Sequence, residues 1–147
     1  MRRFLACLAL LFPAAAHAES GEAIFTANCA VCHQADGGGA AGVAPALAGT
    51  LAGYTSTPAG KQYLSQILIS GMVGSIQTQG HKFSGLMPSF ADKLTDAQAA
   101  AVLGYVLAKF NGVTVKVVTA KDVAAARASN PSSNDTHHLR KTLLVTQ

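Results

Sequence analysis

The chain has 147 residues, half of them apolar and only 12% charged, with three cysteines and a formal charge of +4. Half of that charge belongs to the N-terminus: without Arg2 and Arg3, nine Lys and Arg face seven Asp and Glu, a formal +2. So small an excess, spread along the chain, gives no reason to expect a nucleic-acid or anionic-membrane partner.

The first element is read as a leader. Arg2 and Arg3 precede the apolar run "FLACLALLF", residues 4–12, and "AHA" at 16–18 has the small-x-small pattern of a signal-peptidase site. The run is too short to span a bilayer, which takes about 20 residues. Residues 1–18 are therefore expected to be cleaved on export to the periplasm, leaving a mature chain from Glu19 that lacks a transmembrane segment. Cys7 leaves with the leader, so Cys29 and Cys32 are the cysteines of the mature protein. In an oxidising compartment such a pair is a disulfide or is committed to other chemistry.

Next comes "SGEAIFTANCAVCH", residues 20–33. Ser20 suits an N-cap and Glu22 the first turn, which predicts a helix over Glu22–Cys32. Cys-x-x-Cys has three readings. A thioredoxin-like dithiol opens a helix after a strand, whereas these cysteines close one. A structural zinc site needs four ligands, and His81, His137 and His138 do not complete a finger or ribbon. The third reading uses all five residues of "CAVCH": both thiols become thioethers on haem vinyl groups, and His33 reaches the iron from the same turn.

Residues 34–56 are a Gly- and Ala-rich loop whose small side chains let backbone approach a flat cofactor closely. "TPAGKQYLSQILISG" reads as a helix with Thr57 as N-cap, Pro58 in the first position and Gly71 as terminator. The stretch after it is read as a loop carrying the second axial ligand. Met87, in "SGLMPSF", is preferred to Met72, because Gly85 frees the backbone and Pro88 holds Met87 extended. His81, His137 and His138 read as solvated residues. "LTDAQAAAVLGYVLAKFNG" has a Thr95/Gln98 capping box, an apolar stripe of Val102, Leu103, Val106 and Phe110, and Gly112 as its stop. Beyond it "VTVKVV" could be extended, Thr119 could cap a short helix to Ala128, "SNPSSND" reads as loop, and the last twelve residues could dock back or be mobile.

On "CAVCH" and "MP" together, residues 20–111 resemble a class I c-type cytochrome, a monohaem, His/Met-ligated electron carrier. Further positions carry the likeness. Gly21, Phe25 and Cys29 share one helical face, as where that family's first helix crosses its last, with Tyr105 and Val102 on the other side. "APALAG" at 44–49 is similar to the family's segment beneath the proximal histidine, which gives Pro45 the role of accepting a hydrogen bond from His33. The resemblance implies an all-α cytochrome c fold of three to five helices around one covalently bound haem c. Cys29, Cys32, His33, Pro45 and Met87 would bind it, with His33 and Met87 on the metal. It also implies a cytochrome domain over 19–112 and a C-terminal extension over 113–147.

The function expected is non-catalytic one-electron transfer in the periplasm, with redox proteins as partners: a dehydrogenase, a terminal oxidase or another cytochrome. Tyr54, Tyr63, Phe83 and Phe90 are candidate walls of the haem pocket, and Lys61, Lys82 and Lys93 could steer an acidic partner. The extension tilts the expectation from a free shuttle toward the dedicated cytochrome subunit of a dehydrogenase. A gas-sensing or peroxidase-like haem is the alternative, and it would need Met87 absent or displaceable.

Overall fold

The computed structural model describes residues 19–145, so the leader lies outside the described residues. In chain order they form α1 (Gly21–Asn28), α2 (Ala30–His33), a 3-10 turn (Ala52–Thr55), α3 (Pro58–Ser70), β1 (Met72–Thr78), β2 (His81–Met87), α4 (Asp96–Asn111), α5 (Ala120–Ser129) and α6 (Ser133–Val145). The fold is mostly helical, as expected. It departs from the all-α expectation in two ways: six α-helices are described instead of three to five, and an antiparallel hairpin stands where a methionine loop was read.

The helix starts follow from local chemistry. Ser20 accepts from the Ala23 N–H and Thr57 from the Gly60 N–H, each satisfying a donor that the first turn leaves unpaired. Thr95 with Gln98, and Thr119 with Asp122, form reciprocal capping boxes at α4 and α5. Gly112 ends α4 in the left-handed conformation. The first predicted helix, however, is broken. Cys29 sits between α1 and α2, so the two cysteines occupy a tight turn and the short helix after it.

The core lies where α1 crosses α4. Gly21 makes that crossing possible, because a Cβ there would run into the Ala101 carbonyl oxygen and lie 2.9 Å from Tyr105 Cβ. Phe25, Tyr105 and Phe110 cluster beside it, with ring centroids 5.2 to 5.7 Å apart. The segment 113–118 forms no strand, and both Val117 and Val118 are buried, which an alternating strand on a surface would not allow.

The extension docks. Helix α5 packs on α3 and α4, and α6 packs on α3 and β1. Arg127 of α5 is tied to Asp96 Oδ1 at 2.9 Å and donates to the carbonyls of Ala91 and Leu94. The Ser132–Asp135 pair caps α6: the Ser132 N–H donates to Asp135 Oδ2 at 2.8 Å, and the Asp135 N–H donates back to Ser132 Oγ. "SSND" is thus a helix start where the sequence reading placed loop.

Candidate haem site

A cavity of about 860 Å³ opens between the "CAVCH" turn, the 43–54 loop, α3, the hairpin and α6. Its size falls in the range that encloses a large organic ligand, several hundred to about 1,000 Å³. Cys29, Cys32, His33, Pro45 and Met87 all line it, as do the four aromatics Tyr54, Tyr63, Phe83 and Phe90. Of the three lysines considered for steering, Lys93 is at its wall, with Nζ 5.8 Å from the centre of the Phe90 ring. His81 and His138 do not line it.

The histidine is set by its neighbours in the chain. His33 is 8% exposed, and its Nδ1 lies 2.9 Å from the Pro45 carbonyl oxygen. A carbonyl only accepts, so Nδ1 carries the proton and Nε2 keeps a lone pair, the state of a metal-ligating imidazole. Burial pushes the His33 pKa down and the Pro45 bond opposes it, which keeps the ring neutral. Pro45 is in place because the loop folds tightly on itself. The Gly39 N–H bonds the His33 carbonyl, Ala40 and Ala44 form a bridge, and the N–H groups of Leu47 and Ala48 both reach the Gly37 carbonyl.

The cysteines differ. Cys29 is buried, its thiol pushed up to about 11 by desolvation and then by Cys32 beside it, while Cys32 is exposed. Neither is in a disulfide.

The methionine arrives by another route. Met72 and Met87 are direct cross-strand partners at the open end of the hairpin, both half-buried and both lining the cavity. Residues 72 to 87 close through Gln79 and Gly80, both with positive φ (50° and 78°), as a primed two-residue turn demands. Gly71 lets the returning chain come close, since a Cβ there would strike the Met87 carbonyl. Ser89 then donates to the Ile69 carbonyl and the Phe90 N–H to Leu68, pinning the segment after Met87 to the end of α3.

The donors suit a covalently held haem: two thiols at Cys-x-x-Cys spacing, an imidazole with a free Nε2, and thioethers, around a largely apolar cavity. Sequence reasoning did not place Met72 beside Met87. It also missed Gln77, Arg140 and Leu144 as cavity-lining residues, since only the hairpin and the docking of α6 bring them there.

Comparison with known proteins agrees. The chain is 36% identical over 132 residues to cytochrome c-552 of Thermus thermophilus, covering 87% of this chain and 88% of that protein. It is 28% identical over 109 residues to the gluconate 2-dehydrogenase cytochrome c subunit of Pantoea cypripedii, 74% of this chain but 24% of that one. With cytochrome c6 of Bryopsis maxima it shares 33% over 94 residues, 63% of this chain and 92% of that one. The sequence model of the Cytochrome c family matches residues 18–109, so the chain belongs to that family of electron carriers, whose cofactor is a covalently bound haem c.

Proposed function

We propose that this protein is a periplasmic one-electron carrier in which Cys29 and Cys32 hold the haem and His33 and Met87 are its axial ligands. The observation that carries the reading is the bond from His33 Nδ1 to the Pro45 carbonyl, which leaves Nε2 as a ligand in the same cavity that receives Met87. When bound, haem supplies an iron that changes oxidation state by one electron. The protein's part is to fix the imidazole tautomer, exclude water with Tyr54, Tyr63 and Phe90, and present a thioether, a ligand that favours the ferrous state. With His33 and Met87 both held to the iron, the bound haem would leave no position open to a substrate.

The extension over 113–147 alone pointed to a dehydrogenase subunit. The relative that covers 87% of this chain is instead a cytochrome c-552, and that coverage must reach into the extension. The dehydrogenase subunits are matched over only 24% and 23% of their lengths. A carrier that meets its redox partners transiently fits this pattern. The exposed Val31, Val43 and Leu86, all at the cavity wall, supply a small apolar rim for such encounters.

The test is expression in a host with haem-attachment machinery. Intact mass should show the loss of residues 1–18, a gain of one haem and no free thiols. Met87→Ala should abolish the near-infrared methionine-to-ferric-iron band, lower the potential and open the iron to carbon monoxide, while Met72→Ala keeps the band. Loss of the band in Met72→Ala alone would reassign the ligand, and full carbon monoxide binding to the reduced wild type would overturn the carrier reading.

A further inference from the structure

We infer that Arg140, on the C-terminal helix α6, is the anchor for a haem propionate, so that the extension forms part of the cofactor site. The inference rests on the proposal that haem fills the cavity. It starts from a mismatch of charge. Arg140 is 7% exposed and lines the cavity, yet no carboxylate of the described residues lies within ion-pair distance of it. The cavity lining contains no Asp or Glu at all, while Arg140 and Lys93 both contribute to it.

A guanidinium keeps its charge at any pH and has five N–H donors in a planar fork. The hydrogen bonds to Arg140 from its surroundings are to neutral oxygens. One is the Gln77 carbonyl, 3.2 Å from Nη2, and the other is the Tyr63 phenol. Burial raises the pKa of that phenol above its usual range, so Tyr63 is a neutral neighbour and not a counter-ion. A buried cation with only neutral partners is costly, and an anion brought into the same cavity relieves that cost. Haem carries two carboxylates, and a planar carboxylate is the anion the fork matches best. Lys93 is exposed and lies over the Phe90 ring, so it serves as a solvated second cation at most.

The placement of Arg140 is built. Helix α6 is seated on β1 by His137, whose Nε2 is 2.9 Å from the Ser75 carbonyl, and the next turn of the helix delivers Arg140 to Gln77 on the same strand. Cys29, Cys32, His33, Tyr54, Tyr63 and Lys93 are the other titratable groups at the wall, and the two thiols cease to titrate once they are thioethers on the haem.

The haem-loaded full chain tests this through Arg140→Gln and Arg140→Lys. Removing a positive charge near the iron stabilises the ferric state and raises the pKa of the carboxylate it held. Arg140→Gln should therefore lower the midpoint potential at neutral pH and move the pH-dependent step in potential upward. It should also shift a carboxylate band in the redox-difference infrared spectrum. Arg140→Lys should restore most of each change. A Gln variant that carries haem with wild-type potential, pH profile and carboxylate bands overturns the inference and leaves the carrier reading intact; a wild type without haem overturns that reading. Should Arg140→Gln fail to fold, a crystal structure of the haem-loaded wild type decides. It supports the inference if an Arg140 nitrogen is within hydrogen-bond distance of a propionate oxygen, and refutes it if the guanidinium bonds only Gln77 and Tyr63.

Discussion

The histidine wall and the methionine wall of the cavity are made in opposite ways. His33 and Pro45 come from one stretch of chain, and the bonds that fold the loop onto His33 lie between residues 33 and 48. Met72 and Met87 meet only because a hairpin brings its two ends together. That hairpin is exposed along most of its length, with Ile76 alone buried among its strand residues, and it leans on α6 from the far end of the chain. A ligand placed by its own turn resists change elsewhere. One placed by a two-stranded ribbon depends on what backs the ribbon, because isolated hairpins are marginal in water.

The largest effect should come from removing what joins the walls. The core is modest and the cavity is big, so much of the apolar contact must come from the cofactor. Cys29→Ala with Cys32→Ala is expected to leave a chain without cooperative unfolding, seen by circular dichroism as a broad transition. A sharp, native-like melt of the double variant would mean that the protein alone defines both walls.

How legible each wall was follows from the same contrast. "CAVCH" and Pro45 could be read because the chemistry needs those residue types in sequence, and Thr57, Thr95 and Thr119 because a cap acts within four residues. The hairpin was hidden. Gln-Gly is not the usual Asn-Gly or Asp-Gly turn, and Gly74 and Gly85 thin an alternation that already had little apolar signal. Met87 was preferred on the strength of Pro88, and its register with Met72 could not be seen without the pairing. The polarity of "SNPSSNDTHHLR" suggested loop, but the Ser132–Asp135 cap begins α6 there, and its buried side is Thr136, Arg140 and Leu143, polar at the first two positions. Buried polar residues defeat a reading based on apolar periodicity.

Two glycines compare the walls directly. At Gly39, with φ +74°, a Cβ would lie 2.6 Å from the Ala44 oxygen, the Pro45 carbonyl carbon and the Ala46 nitrogen, all backbone. Nothing there can yield without moving the carbonyl that holds His33. Gly39→Ala should cost about 3 kcal/mol, strain and clash together. At Gly74, with φ +125°, the nearest atoms belong to the His137 ring, from 2.8 Å. A side chain can turn aside, so Gly74→Ala should cost about 1 to 2 kcal/mol, mostly backbone strain. Urea titration of the haem-loaded proteins measures both, and a larger loss at Gly74 would reverse the ranking of the walls.

The smallest effect expected is that of His137→Ala. Its imidazole bonds the Ser75 carbonyl at 2.9 Å in a partly exposed position, where water can replace it. The net value of such a bond is about 1 kcal/mol. The variant should lower the urea midpoint slightly with an unchanged slope, since Arg140 and the α3 contacts still hold α6. Coupling to Gly74 makes the measurement decisive. The clash at Gly74 involves the His137 ring, so Gly74→Ala in the His137→Ala background should lose its steric part and keep only the strain of its φ. The two single losses should then exceed that of the double variant, as contacting residues require. Strict additivity would show that the ring does not rest on Gly74.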